Sequence, residues 1–501
     1  IDTAAQAIST GAVESCEVWV AGGTYYTFLT SANDTVTLRN GVDVYGGFRG
    51  DETSKASRNP KEVLTVLSGK RSSSSPMEER ACHVLTATPS SEVIVDGLII
   101  SDGSASNRSC PEGSGGGAWV KNARVHFSDC AFMSNQASYG GALQSEGALA
   151  HITLQKSRVM NNNSSKDGAA VHVIDGASLI AKTSTFTGNA TSMGGTGSGG
   201  AIFAGAGANL IVTDCVFERN ATMTKGSAIA VRTSSSAQVE RSTFVGHWAG
   251  PQGGTLAASD GAILNVQTSL FISNAAQGTA VIGAAYGSTI HFANCTVAKI
   301  VDSNAEPVFR SDNSDLGKGN LSLTNCIVWT PGNPLFTNAS GATTTVAYTD
   351  TSDSLQSGAG NKAQIPLFAG QPLYSGYWKA SSASIATYET VFTKADGEEA
   401  WTPGELEGAV IWFDTSNNST AVVTKNTARS LTLAGSLTSS YAGKSYAIYD
   451  YALGAGSPCI DAGTTTGTTP LTDIEGTSFS DVPGIGVAGV KHDMGAYEFV
   501  P

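Results

Sequence analysis

Asn209-Leu210-Ile211-Val212-Thr213-Asp214-Cys215-Val216-Phe217-Glu218-Arg219-Asn220 is one copy of a phrase that runs from Val93 to Val328. Two apolar residues alternate with polar ones, as in Leu210 and Val212. A bend residue and a small residue follow, then a spacer, an apolar anchor, and usually Asn three places on. A Gly-rich entry then leads to the next copy. The anchors are Ile100, Phe132, Val159, Phe186, Phe217, Phe244, Phe271, Val297 and Val328, separated by 32, 27, 27, 31, 27, 27, 26 and 31 residues. Alternation of apolar and polar residues is strand patterning, and its recurrence at this interval marks a solenoid. No helical run intervenes, which argues against leucine-rich or helical repeats, and a propeller blade needs about 40 residues. Three short strands per coil fit the interval, giving an all-β chain built as a parallel β-helix solenoid of roughly ten to twelve coils.

Each coil has an internal register. Leu143, Val171, Ile202, Ile229, Leu256 and Val281 begin the first strand, behind entries such as Gly200-Ala201. Asp175-Gly176 and Asp260-Gly261 mark a turn. The second strand carries the upstream apolar pair, and the third carries the anchor. Between the second and third stands a bend residue: Asp129, Lys156, Thr183, Asp214, Arg241, Thr268, Asn294 or Asn325. Asn135, Asn162, Asn189, Asn220 and Asn274 stack at one corner, where side-chain amides can pass hydrogen bonds from coil to coil. His247 replaces Asn in one coil and precedes Trp248, either as a corner variant or as a ligand site beside an aromatic platform.

The 501 residues carry 41% hydrophobic side chains, enough for a large core. A net charge of -13 argues against nucleic acid and anionic membranes as partners, while leaving room for a local basic cleft. No apolar run reaches a membrane span. Cys130, Cys215, Cys295 and Cys326 share a column with Ser157, Ser184, Ser242 and Ser269. Cys295 and Cys326 are either stacked buried thiols or a bridge between adjacent coils. Cys16, Cys82, Cys110 and Cys459 lie outside that column, and spacing alone does not pair them.

The organisation reads as an N-terminal cap with the first coils over 1–92, a β-helix core over 93–376, a β-rich insertion over 377–450 and a closing coil and cap over 451–501. Four strand candidates in the insertion (406–413, 420–423, 430–433 and 446–449) are separated by turn-rich segments. The insertion is expected to pack against the coils.

Gly199-Gly200-Ala201-Ile202 and the Phe-x-x-Asn phrase (Phe132/Asn135, Phe186/Asn189, Phe217/Asn220, Phe271/Asn274) resemble repeats of chlamydial polymorphic outer-membrane proteins. Val42-Asp43-Val44-Tyr45-Gly46-Gly47-Phe48, Gly456-Ser457-Pro458-Cys459-Ile460-Asp461-Ala462-Gly463 and Asp493-Met494-Gly495-Ala496-Tyr497-Glu498-Phe499 resemble opening and closing phrases of secreted bacterial right-handed parallel β-helix proteins related to pectate lyases. The resemblance implies a right-handed solenoid, in keeping with the crossover preference of parallel strands, and export or cell-surface display. It implies a polysaccharide or cell-surface glycan as partner. The function expected is cleavage of glycosidic bonds by hydrolysis or elimination, with a noncatalytic adhesin or glycan-binding scaffold as the alternative. A fold of this kind hosts all of these.

The resemblance directs attention to the first-strand face. Alternation there points Gln144, His172, Phe203, Ala230, Ala257, Ile282 and Phe309 outward, with Glu146 and Arg232 two places later. Lys166 and Asp167 belong to the entry before His172. A uronate lyase needs a cation, a base and an acid, types that Lys166, His172 and Arg232 supply. A glycosidase needs two carboxylates about 5–5.5 or 6.5–9.5 Å apart, for which Glu146 and Asp167 are candidates. Phe203 and Phe309, with Trp248 and His247, are candidate sugar-stacking residues. No cofactor motif is present and none is required, although Asp96, Asp102 and the corner aspartates have the oxygen ligands Ca2+ takes.

Overall fold

The computed structural model describes residues 1–74, 76, 79–87, 89–106, 110, 113–192, 195–278, 280–299, 306–314, 317–352, 354–368, 372–384, 387–465, 472–480 and 492–500. The chain is an all-β parallel solenoid of about 12 turns with a small closed antiparallel barrel near its C-terminus. Among the described residues the only α-helix is Asp2–Ser9, which was not expected from the sequence, and none is long and apolar enough to cross a membrane.

The chain forms two compact units. The first comprises Ile1–Cys215, Asn220–Gln238 and Leu256–Ile263. Its second-strand sheet runs through Cys16–Ala21, Val42–Phe48, Glu92–Asp96, Arg124–Ser128, His151–Gln155, Ser178–Lys182 and Asn209–Thr213, each strand parallel to the next. Val125 faces Val93 and Ile152, and Phe127 faces Val95 and Leu154, so the apolar pairs form two inward columns. In the anchor column Phe132 lies in register between Ile100 and Val159, and Val159 then faces Phe186. All four are fully buried.

Corners repeat as faithfully as strands. Within this unit the bend residues Asp129, Lys156, Thr183 and Asp214 all have φ between 46° and 54°, the left-handed region. The Asn column follows immediately. Asn162 accepts the Asn135 backbone N–H at 3.0 Å, Asn189 accepts that of Asn162 at 3.0 Å, and Asn220 accepts that of Asn189 at 2.9 Å. Each amide nitrogen donates to a carbonyl of the preceding coil. In the small-residue column Ser157 accepts the Cys130 N–H and Ser184 that of Ser157. The Gly199-Gly200 entry has its own cause: Gly199 has φ 73°, and a Cβ on Gly200 would lie 2.2 Å from the Ser227 carbonyl. Near the N-terminus Cys82 and Cys110 form a disulfide with Cα atoms 5.6 Å apart.

The second unit comprises Val216–Arg219, Val239–Thr255 and Leu264–Pro501. Its anchor column runs through Phe217, Phe244, Phe271, Val297 and Val328. Phe217, Phe244 and Phe271 stack with centroids 4.9 and 4.7 Å apart. Cys295 and Cys326 are free buried thiols, which settles the stacked arrangement over the bridge.

The insertion is a six-stranded closed barrel, with strand order Tyr374–Ser384, Glu389–Lys394, Ser430–Ala434, Ser419–Asn426, Val410–Asp414 and Ser445–Tyr449. Two of these strands, Tyr374–Ser384 and Glu389–Lys394, are additional to the four expected. Tyr374–Ser384 closes the barrel because its first half pairs with Ser445–Tyr449 and its second with Glu389–Lys394. Trp378, Phe392, Trp401, Phe413, Leu431 and Tyr446 fill the interior. The barrel packs on coils of its own unit through Val410 and Val422 against Val245, Leu270 and Ile272. Glu218, buried beside Arg219, accepts the Val422 N–H, and Arg219 donates to the carbonyls of Thr420 and Ala434. The C-terminal segment closes over the last coils: Asn325 both accepts from and donates to the Thr464 backbone. A Cβ on Gly495 would lie 2.7 Å from Thr296 Oγ1, so the closing phrase needs glycine there.

Candidate functional site

The first-strand row is not a platform. Gln144, His172, Phe203, Ala230, Ala257, Ile282 and Phe309 are all buried. His172 lies between Tyr139 and Phe203, each with ring centroids 5.0 Å away, and its Nδ1–H donates to Gln144 Oε1 at 2.7 Å. Burial pushes its pKa down to about 3, so the imidazole is neutral and committed to packing. The Gly-rich entries cover the row. A Cβ on Gly140 would be 3.2 Å from His172 Cβ, and one on Gly199 would be 2.9 Å from Phe203 Cβ. Phe309 is a core residue for another reason. Its register partner is Gly283, and its ring packs between Phe292 and Phe336 where Gly283 supplies no side chain. The expectation of exposed His172, Phe203 and Phe309 is therefore corrected.

The charged candidates divide. Asp167 accepts the Ser198 N–H at 2.7 Å, and burial raises its pKa against the opposing pull of that bond, Arg232 and Lys166. Lys166 donates to the Tyr139 hydroxyl at 3.0 Å, with its ammonium 4.8 Å from that ring centre. Arg232 is held by Asp260 at 3.1 Å. Glu146 stands apart from this group. It closes the strand Leu143–Glu146, pairs with Ile174 and holds Lys121 at 2.7 Å. Asp167 precedes Val171, so the strand Val171–Ile174, about 10 Å at ~3.3 Å per residue, lies between the two carboxylates. Glu146 and Asp167 do not make an acid–base pair.

His247 is a ladder member. Its backbone N–H donates to Asn274, and its Nε2–H donates to the Phe217 carbonyl at 3.1 Å, as the Asn amides do elsewhere. Trp248 is half-buried in the adjoining two-residue strand. Asp96 is held by Arg58 at 2.6 Å, and Asp102 by Lys70 at 3.1 Å and by the hydroxyls of Ser68 and Ser101. Among the described residues no group of three or more His, Cys, Asp or Glu side chains is arranged to hold a metal ion.

An open surface with converging polar groups lies on the outer face of the second-strand sheet in the first unit. A groove of about 610 Å³ is lined by Asp43, Glu92, Ile94, Arg124, His126, His151 and Thr153, among others. Register builds it. Glu92, Arg124, His151 and Ser178 form one outward row, and Ile94, His126 and Thr153 the next. Asp43 caps the Ile94 N–H at 2.8 Å. His151 Nδ1 is 2.5 Å from Ser178 Oγ, while burial and the nearby Arg124 lower its pKa. Leu149 borders the adjoining hollow beside Arg124, 65% exposed. The signal for this face was in the sequence: with Val125, Phe127, Ile152 and Leu154 inward, alternation places Arg124, His126, His151 and Thr153 outward.

No family model matches the chain, and no curated protein matches it. Among solved structures it is similar to pectate lyase Pel9A at 12% identity, covering 96% of this chain and 87% of that one with a TM-score of 0.38. It is also similar to the A-module of mannuronan C-5 epimerase AlgE6 of Azotobacter vinelandii (13% identity, 72% and 88% covered, TM-score 0.32). A tailspike protein of E. coli bacteriophage HK620 is similar at 10% identity, with 89% and 88% covered and a TM-score of 0.27.

Proposed function

We propose that this chain is a carbohydrate-binding solenoid that holds an extended polysaccharide along the outer face of its second-strand sheet. The groove lined by Glu92, Ile94, Arg124, His126 and His151 carries the proposal. Outward side chains recur every strand spacing of about 4.8 Å, an interval suited to a repeating polymer, and they mix cation, imidazole, carboxylate and aliphatic surface. Export or surface display accords with the Cys82–Cys110 disulfide, since such bridges persist in oxidising compartments. It also accords with the resemblance of the repeats to chlamydial polymorphic outer-membrane proteins.

Cleavage of glycosidic bonds is the second proposal, at the first-strand entries rather than in the groove, favoured by Asp167. Burial raises its pKa while Lys166 and Arg232 stand near enough to affect it, which are conditions for acid–base work. The two proposals separate in one screen. Purified protein is incubated with neutral and uronic-acid glycans, and retention, reducing-end release and absorbance of an unsaturated product are read together. Retention without new ends identifies a binder, and new ends that vanish in Asp167→Asn identify a cleaving enzyme. Absence of retention and of cleavage on every glycan would overturn both.

A further inference from the structure

The groove's charges are unusual for this chain. Arg58, Arg219, Arg232 and Arg310 each hold a carboxylate within 3.2 Å. Arg124 does not. Among the described residues neither its guanidinium nor the His126 imidazole carries a hydrogen bond or an ion pair. The two project from one strand, two residues apart, and His151 faces Arg124 from the next coil. With about 4.8 Å between strands and ~3.3 Å per residue, the three bases define a patch about 5 by 7 Å, the reach of one anionic substituent.

We propose that this patch recognises an anionic group of the bound glycan, a carboxylate or a sulfate, with Arg124 as the permanent cation, His126 as a neighbouring polar contact and His151 as a cation recruited when the pH falls. The proposal rests on the glycan-binding role given above and adds ligand charge and regulation to it. The charged and titratable groups around the two imidazoles are Asp43, Glu92 and Arg124. Asp43 is engaged by the Ile94 N–H, with the Tyr45 hydroxyl 3.5 Å from its other oxygen. Glu92 faces Arg124 from the preceding coil. At neutral pH the patch has one cation against two carboxylates. A proton on His151 adds a second cation beside Arg124 and offsets the local negative charge within a chain of net charge -13.

The linkage has a definite sign. Burial and Arg124 disfavour the charged form of His151 in the free groove. An anion beside the imidazole favours it. The complex therefore takes up protons, and affinity rises as pH falls. Carboxylates of a polyuronate remain largely ionised at pH 5, since an ordinary carboxyl titrates near ~4, so the ligand keeps its charge while His151 gains its own.

Calorimetric titrations of the full chain at pH 5.0 and 7.5, at one ionic strength, test this with three probes: alginate for carboxylate, dextran sulfate for sulfate and dextran as the neutral polymer. Expected is an anionic polymer binding at least tenfold tighter at pH 5.0, with net proton uptake. The His126→Gln/His151→Gln variant should bind equally at both pH values, and Arg124→Gln should weaken binding at both. Thermal midpoints of these variants confirm that they fold. Alginate alone responding identifies carboxylate, and dextran sulfate alone identifies sulfate. A pH dependence that survives the double histidine variant, or anionic binding indifferent to Arg124→Gln, overturns the inference. Dextran binding lost in groove variants, with no preference for anions, overturns it and leaves glycan binding intact. No binding of any polymer at either pH removes both.

Discussion

Replacing Asn189 by alanine removes one rung of the corner ladder. Four hydrogen bonds go: to Asn189 Oδ1 from the Asn162 backbone and side-chain nitrogens, and from Asn189 Nδ2 to the Val159 carbonyl and Asn220 Oδ1. Asn162 Nδ2 keeps the carbonyls of Phe132 and Met160, and Asn220 Oδ1 keeps the Asn189 N–H. The buried Asn162 N–H keeps nothing, and an orphaned buried donor costs roughly 1–3 kcal/mol. The other lost bonds add about 1 kcal/mol each at most, giving ~4 kcal/mol in total. A long repeat array need not unfold in one step, so the assay is native-state amide exchange, read at the Asn162 amide and beside it. Protection there should fall by two to three orders of magnitude, while the barrel strands near Phe392 and Leu431 stay unchanged. Under tenfold loss at Asn162 would refute the ladder as a stabilising device. His247→Asn is the complementary case, because it restores the common residue and should be neutral or slightly stabilising.

His172→Ala should destabilise the first-strand row by about 3 kcal/mol, from an orphaned Gln144 amide and two lost ring contacts; a thermal midpoint equal to the parent's would show the side chain to be dispensable. Phe309→Ala, which empties a fully buried site, should cost about 3–5 kcal/mol in denaturant titrations, and a cost below about 1 kcal/mol would place the ring outside the core. At the C-terminus burial pushes the Glu498 carboxyl up to about 8 and Asp493 up to about 6. Both folded-state values are raised, so their stabilisation is complete below pH ~4 and is lost as pH rises toward 8. Amide exchange around Ala496 should therefore be slower at pH 5 than at pH 8 after correction for intrinsic rates, and Glu498→Gln should flatten the difference; slower exchange at pH 8 would contradict the sign. The buried thiols Cys130, Cys215, Cys295 and Cys326 should resist a thiol reagent in the native protein and react on unfolding, whereas rapid native labelling would mean an open core.

The coil was legible because its signals are local and repeated. Apolar pairs such as Val125/Phe127, the anchors and the Asn column each recur in register, and one tolerant residue marks every bend. The first-strand row was not legible for a physical reason. Alternation tells which residues leave the interior, but not whether a neighbouring segment lies over them. Here the glycine entries do so, and they bury His172 and Phe203. Phe309 turned inward because Gly283 takes the facing place in the register. The barrel showed four of its six strands, and its closing strand Tyr374–Ser384 was hidden by weak alternation in a polar run. The Cys82–Cys110 bridge joins residues 28 apart that lie outside the repeated Cys/Ser column, so the column pattern does not pair them. The groove residues were legible by the same alternation that set the core, with Arg124, His126 and His151 outward of Val125, Phe127 and Ile152.

The most direct test of glycan binding at the second-strand groove is the histidine spectrum of the protein during glycan titration. The chain has seven histidines, and they sort by location. With isotope-labelled histidine and a binding oligosaccharide, the imidazole resonances of His126 and His151 should shift together and saturate with the bound fraction. Those of His172 and His247, buried in the first-strand row and in the corner ladder, should stay in place. Saturable binding that moves His172 or His247 and leaves His126 and His151 unmoved would contradict the account.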